Sequence, residues 1–140
     1  MLKILAALLI ALLHTASGAV EVQFEKVTEG VYAHVGELGA RTRENEALNA
    51  NIGLVLTPRG AVLIDSGATH LSARDIDQAA RRVTDQPIRW VINTGGQDHR
   101  WLGNSHFQAQ GAELIAHASA VPDMQARAGD QMQALKNMLG

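Results

Sequence analysis

Two dense apolar runs, Ile52 to Leu56 and Ala61 to Ile64, flank the segment Thr57-Pro58-Arg59-Gly60. Proline followed closely by glycine reverses a chain, so the runs read as the two arms of a β-hairpin. The second arm lacks polar alternation, which predicts burial on both faces. It ends at Asp65-Ser66-Gly67. A hairpin this apolar commits the chain to a layered fold with a covered sheet.

The flanking patterns supply the rest of that fold. Val20, Val22 and Phe24 alternate with Glu21, Gln23 and Glu25, a half-buried strand pattern. Glu29-Gly30 turns into a second strand, Val31 to Val35. Gly36 to Asn49 is polar, holds Arg41, Arg43, Glu44 and Glu46, and reads as a long loop. Ser72 with Asp75 suits a capping box for a helix over Ser72 to Thr84, its stripe formed by Ile76, Ala79, Ala80 and Val83. Asp85-Gln86-Pro87 stops that helix before a strand at Ile88 to Ile92. A short helix is expected over Trp101 to Gln110 and a strand over Glu113 to Ala116. Ser119 caps a last helix with Pro122 in its first turn. Val121, Met124, Ala128, Met132, Leu135 and Leu139 line one face of it, as core or partner-helix contacts. Strands first, then alternating helices and strands, predict an α/β layered domain.

The N-terminus stands apart. Lys3 precedes an unbroken apolar run from Ile4 to Leu13, and Ser17-Gly18-Ala19 fits a small-x-small cleavage pattern. Residues 1–19 therefore read as a secretory signal peptide, too short to span a bilayer, with cleavage after Ala19. The remainder, 20–140, has room for one domain and is expected to be periplasmic or secreted. A net charge of −2, with basic and acidic residues interspersed, gives no footprint for nucleic acid or anionic lipid. No cysteine is present, which removes disulfides and thiolate metal sites.

The chemistry is concentrated in Asn93-Thr94-Gly95-Gly96-Gln97-Asp98-His99-Arg100, directly after the Ile88–Ile92 run. An acid beside an imidazole where a buried strand meets a loop suits metal or proton chemistry. The other histidines are isolated. His14 lies in the signal segment, His34 alternates with apolar strand neighbours, His70 follows the Asp65-Ser66-Gly67 turn, His106 sits on the short helix, and His117 ends a strand. Each is more readily a structural or surface residue than a ligand, since a metal site needs several converging donors.

Three segments together resemble the metallo-β-lactamase superfamily of metallo-hydrolases. They are Asn51-Ile52-Gly53-Leu54-Val55-Leu56 leading to Gly60-Ala61-Val62-Leu63-Ile64-Asp65-Ser66-Gly67, the helix from Ser72, and Trp90-Val91-Ile92-Asn93-Thr94. The likeness runs from about Val22 to His117. Within the superfamily, Gly95-Gly96-Gln97-Asp98-His99-Arg100-Trp101-Leu102-Gly103-Asn104 is similar to a branch of exported, quinoprotein-associated zinc metallohydrolases. The resemblance implies the N-terminal half of an αββα sandwich, one mixed sheet with helices packed on one face. It also implies zinc-dependent hydrolysis of an ester, thioester, amide or similar acyl compound. On it Asp98 is the catalytic residue, Asp98 and His99 are metal ligands, and Asp65 is a supporting group near the metal; a turn-capping role for Asp65 fits equally. The loop before Asn49 would border the active-site mouth. The family motif carries two further histidines where this chain has glycine and glutamine, so the two-histidine side of a dinuclear centre is missing. The ligands of the family's C-terminal half do not appear after His117.

Two function classes follow. One is a truncated metallo-hydrolase acting on a small-molecule substrate. The other is a non-catalytic periplasmic binding or accessory protein that retains the scaffold. A half-fold also leaves a sheet face uncovered, which predicts that the chain pairs with itself or with another partner.

Overall fold

The order of strands along the chain is also their order across one sheet. The computed structural model describes residues 21–140; the expected signal segment, with Val20 and His14, lies outside them. The strands are β1 (Glu25–Thr28), β2 (Val31–His34), β3 (Ile52–Thr57), β4 (Gly60–Ile64), β5 (Ile88–Asn93) and β6 (Glu113–Ala116). Helix α1 (His70–Val83) joins β4 to β5, the short α2 (Asp98–Trp101) and α3 (Asn104–Gln108) join β5 to β6, and α4 (Ala120–Leu139) follows. Strands β1 to β4 pair antiparallel, whereas β4, β5 and β6 pair parallel. The expected α/β class with one mixed sheet is what forms.

The hairpin register places Leu54 opposite Leu63 and Val55 opposite Val62. Ile52, Leu54, Ala61, Leu63 and Val91 face α1 and α3, where they share a core with Ile76, Ala79, Ala80 and Phe107. The alternate residues, Val55, Val62, Ile64, Trp90 and Ile92, are only half-buried and belong to neither core cluster. The expected two-sided burial of β4 is therefore corrected. Strict alternation in a sheet puts successive side chains on opposite faces, and helices cover one of them. A smaller cluster of Ala47, Ala68 and Leu135 ties α4 to the loop before β3.

Local departures have local causes. The first strand begins at Glu25, beyond Val22 and Phe24 of the expected alternation, and all four of its residues are exposed. The apolar alternation ahead of it reflects docking. Val22 is buried in the core, and its carbonyl accepts from Arg82 at 2.7 Å rather than from a strand. Helix α1 starts two residues early because Thr69 is the N-cap. Its Oγ1 accepts from the Ser72 N–H, and the Ser72 Oγ accepts from the Thr69 N–H, both at 3.0 Å. Ser72 thus closes the box rather than opening it. The apolar stripe expected along α4 splits: Met124 and Leu135 are buried, whereas Val121 and Met132 are exposed. No helix among the described residues is long and apolar enough to cross a membrane.

Candidate functional site at the strand ends

Parallel pairing of β4, β5 and β6 brings their C-terminal ends to one edge of the sheet, the usual place for ligands in open α/β sheets. Asp65 ends β4 in the left-handed region, φ +63°, a conformation that aspartate tolerates better than most residues. Its Oδ1 accepts from the Thr94 N–H and its Oδ2 from the Thr94 hydroxyl, each at 2.7 Å. Asp65 therefore clamps the end of β4 to the end of β5.

Behind this clamp lies a closed polar lock. The Asn93 and Asn104 amides exchange hydrogen bonds at 3.0 and 2.8 Å. Ser66 Oγ donates to Asn104 Oδ1 at 2.8 Å, and Asn93 Nδ2 also donates to the Arg100 carbonyl at 2.7 Å. Gly103 lets α2 approach so closely that a Cβ there would sit 2.1 Å from the Ser66 carbonyl oxygen. The helix expected over Trp101 to Gln110 forms only as α3, Asn104–Gln108, and α2 precedes it. The sequence offered Gly103-Asn104 only as motif letters, without these roles.

Asp98 opens α2 and is buried. Its Oδ1 accepts from the His99 N–H at 2.7 Å and lies 3.2 Å from His99 Nδ1. A third partner comes from the long polar loop: Arg41 Nη1 donates to the same oxygen at 2.7 Å. Burial pushes the Asp98 carboxyl up. The hydrogen bond and charge of Arg41, with the His99 bonds, outweigh burial and hold it below the ordinary carboxylate range. Asp98, His99 and Arg41 border an open cleft of about 420 Å³, completed by Gln97, Gln131, Asn49 and Arg127. Arg41 is the residue that sequence reasoning missed; its only signal was a charge in a loop expected to border the mouth.

The remaining histidines stay apart. His34 Nδ1 pairs with the backbone of Gln23, and His117 Nδ1 with Ser119 Oγ. His70 stacks edge-on with His106 at 5.2 Å. His106 Nε2 meets Asp77 Oδ2 at 3.0 Å, and Gln110 and Arg81 bond the same carboxylate. That network borders a second recess of about 280 Å³ beside Pro87 and Ile88. It lies at the opposite end of β5, where three side chains satisfying one carboxylate make a structural knot.

Among the described residues no three His, Cys, Asp or Glu side chains converge as a metal site requires. A catalytic zinc takes three protein ligands and a structural one four. Asp98 and His99 supply two donors, and one Asp98 oxygen is already engaged by Arg41. Asp65 is turned to Thr94. Gly95 has no donor atom, and the Gln97 amide is a weak one. These residues do not by themselves fit a zinc ion.

No protein-family model and no curated protein matches the sequence. Solved structures do. The metallo-β-lactamase FIM-1 from Pseudomonas aeruginosa, in a mono-zinc form, superposes with a TM-score of 0.67 at 21% identity, over 79% of this chain and 48% of that one. The metallo-β-lactamase from Hirschia baltica gives 0.63 at 21%, over 76% and 48%. The one from Pontibacter korlensis gives 0.62 at 18%, over 76% and 48%. The fold is that of the metallo-β-lactamases. At such identities the likeness is one of fold, and the chain spans about half the length of these structures. The one-sheet α/β architecture expected from the three segments is therefore the metallo-β-lactamase half-fold, with the Asp98 cleft at its strand ends.

Proposed function

We propose that the protein is an exported relative of the metallo-hydrolases of this fold, and that its strand-end cleft receives an ester, thioester or amide. Asp98 carries this reading. It is a buried, ionised carboxylate set by β5 and α2 at the mouth of a cleft of about 420 Å³, beside the imidazole of His99. Export rests on the Lys3, apolar and Ser17-Gly18-Ala19 pattern. On this reading the hydrolysis is zinc-dependent. The two donors of this chain fall short of a catalytic zinc site, so that activity requires donors from outside the described residues.

The test uses purified protein, with metal content by plasma mass spectrometry and turnover of a thioester, an aryl ester and a chromogenic β-lactam. Zinc at one equivalent or more, with turnover lost in Asp98→Ala and His99→Ala, supports the hydrolase. A folded, metal-free protein with no turnover rejects it.

One observation favours a second reading, a non-catalytic binding or accessory protein on the same scaffold. The Arg41–Asp98 ion pair gives the carboxylate a cation partner that is not a metal, in a recess lined with hydrogen-bonding side chains.

A further inference from the structure

We propose that Arg41 is the resident cation of the strand-end cleft: its guanidinium holds Asp98 and keeps a divalent metal ion off it. The inference concerns the same cleft; it rests on the second, metal-free reading and opposes zinc binding by Asp98.

Two donors converge on Asp98 Oδ1, Arg41 Nη1 and the His99 N–H at 2.7 Å each, and His99 Nδ1 lies 3.2 Å from it. These contacts occupy Oδ1, so an incoming ion is left with Oδ2, on the same carboxylate as the guanidinium. Arginine stays protonated throughout the accessible pH range, so its charge cannot be shed as that of a histidine can. The pair is also shielded, with side-chain exposures of 21% for Arg41 and 12% for Asp98. Weak solvent screening keeps the repulsion of an incoming dication strong.

Arg41 is also held in place. Asn45 Oδ1 accepts from the Thr42 N–H at 2.8 Å, and Asn45 Nδ2 donates to the Ala40 carbonyl at 3.0 Å, bracketing the arginine on both sides. Further along the loop, Ala47 is fully buried against Leu135 and takes φ +58°. A second guanidinium stands close by. Arg100 Nη1 donates to Thr94 Oγ1 at 2.5 Å, and a Cβ on Gly95 would lie 3.7 Å from that nitrogen. The approach to Asp98 from the β5 end is thus bordered by a second positive charge, and the carboxylates nearby, Asp65 and Asp123, are engaged by Thr94 and Arg127.

The test titrates zinc chloride calorimetrically into metal-stripped full chain. Arg41→Gln should raise zinc affinity at least about tenfold, and Arg41→Lys, which keeps the charge, should stay near wild type. Adding Asp98→Asn to Arg41→Gln should abolish the gain. No gain in Arg41→Gln would overturn the proposal. So would stoichiometric zinc on the wild type that Asp98→Asn removes, a result that leaves the hydrolase reading standing. If far-UV circular dichroism shows Arg41→Gln unfolded, wild type against Asp98→Asn decides. Equal zinc uptake supports the proposal, and weaker uptake in the variant overturns it.

Discussion

Arg41 Nη1 lies 2.7 Å from Asp98 Oδ1, across 57 residues of sequence. The pair ties the loop between β2 and β3 to the first turn of α2. Because both side chains are largely shielded, its contribution should exceed that of a surface pair. A double-mutant cycle with Arg41→Ala and Asp98→Ala, read from urea unfolding, should give a coupling of about 1–2 kcal/mol. A coupling near zero would show that the pair opens to water in solution.

The knot at Asp77 should govern acid sensitivity. Burial raises this carboxyl, but hydrogen bonds from His106, Gln110 and Arg81, together with the arginine charge, outweigh it and leave it below its ordinary value. A carboxylate depressed in the native state contributes stability above its unfolded value and loses it as pH falls through the native one. The urea midpoint should therefore drop as pH falls below about 4. Asp77→Asn should lower the midpoint at neutral pH and flatten the acid limb. An unchanged acid limb in the variant would place the titrating group elsewhere.

Asp65 combines two functions in one side chain. It occupies the left-handed region at φ +63° and accepts both polar hydrogens of Thr94. Asparagine tolerates that backbone and retains an acceptor, whereas alanine does neither. Asp65→Ala should cost about 3 kcal/mol and Asp65→Asn about 1 kcal/mol in chemical unfolding. Equal losses would mean that the charge, and not the conformation, sets the role of this residue.

What the sequence made legible was whatever repeats locally. The Pro58–Gly60 turn, the apolar arms of β3 and β4, and the Ile76–Ala79–Ala80 stripe each follow from a period or a turn chemistry. Asp98, His99 and Asp65 could be placed at strand ends for the same reason. The strand at Val20–Phe24 misled because alternation reports burial, and Val22 is buried by docking on the core rather than by pairing. Arg41 could not be found this way. Its partner is distant in sequence, and a charge in a polar loop looks solvated until the fold closes over it. The Asn93–Asn104–Ser66 lock has the same origin, since amides and hydroxyls carry no periodic signature.

Gly103 offers the sharpest test of how the site is built. Its φ of −77° is open to any residue, so glycine is required there by space alone. A Cβ would sit 2.1 Å from the Ser66 carbonyl oxygen and 2.9 Å from the Ala73 side chain. The first of these is backbone within the β4–α1 turn and has no flexible end to swing aside. Gly103→Ala should therefore cost about 3 kcal/mol, at the upper end for an overpacked contact. It should also push α2 outward, loosening the Arg41–Asp98 pair and the Asn93–Asn104 lock together. Gly129 is the matched control. It lies within α4 with nothing within 4 Å of its would-be Cβ, so Gly129→Ala should stabilise by about 0.5–1 kcal/mol. Thermal unfolding of both variants checks the pair, and amide chemical shifts at Asp98 and His99 report where α2 has moved. If Gly103→Ala were neutral and left those shifts in place, α2 would not be held against the β4–α1 turn as closely as this packing requires.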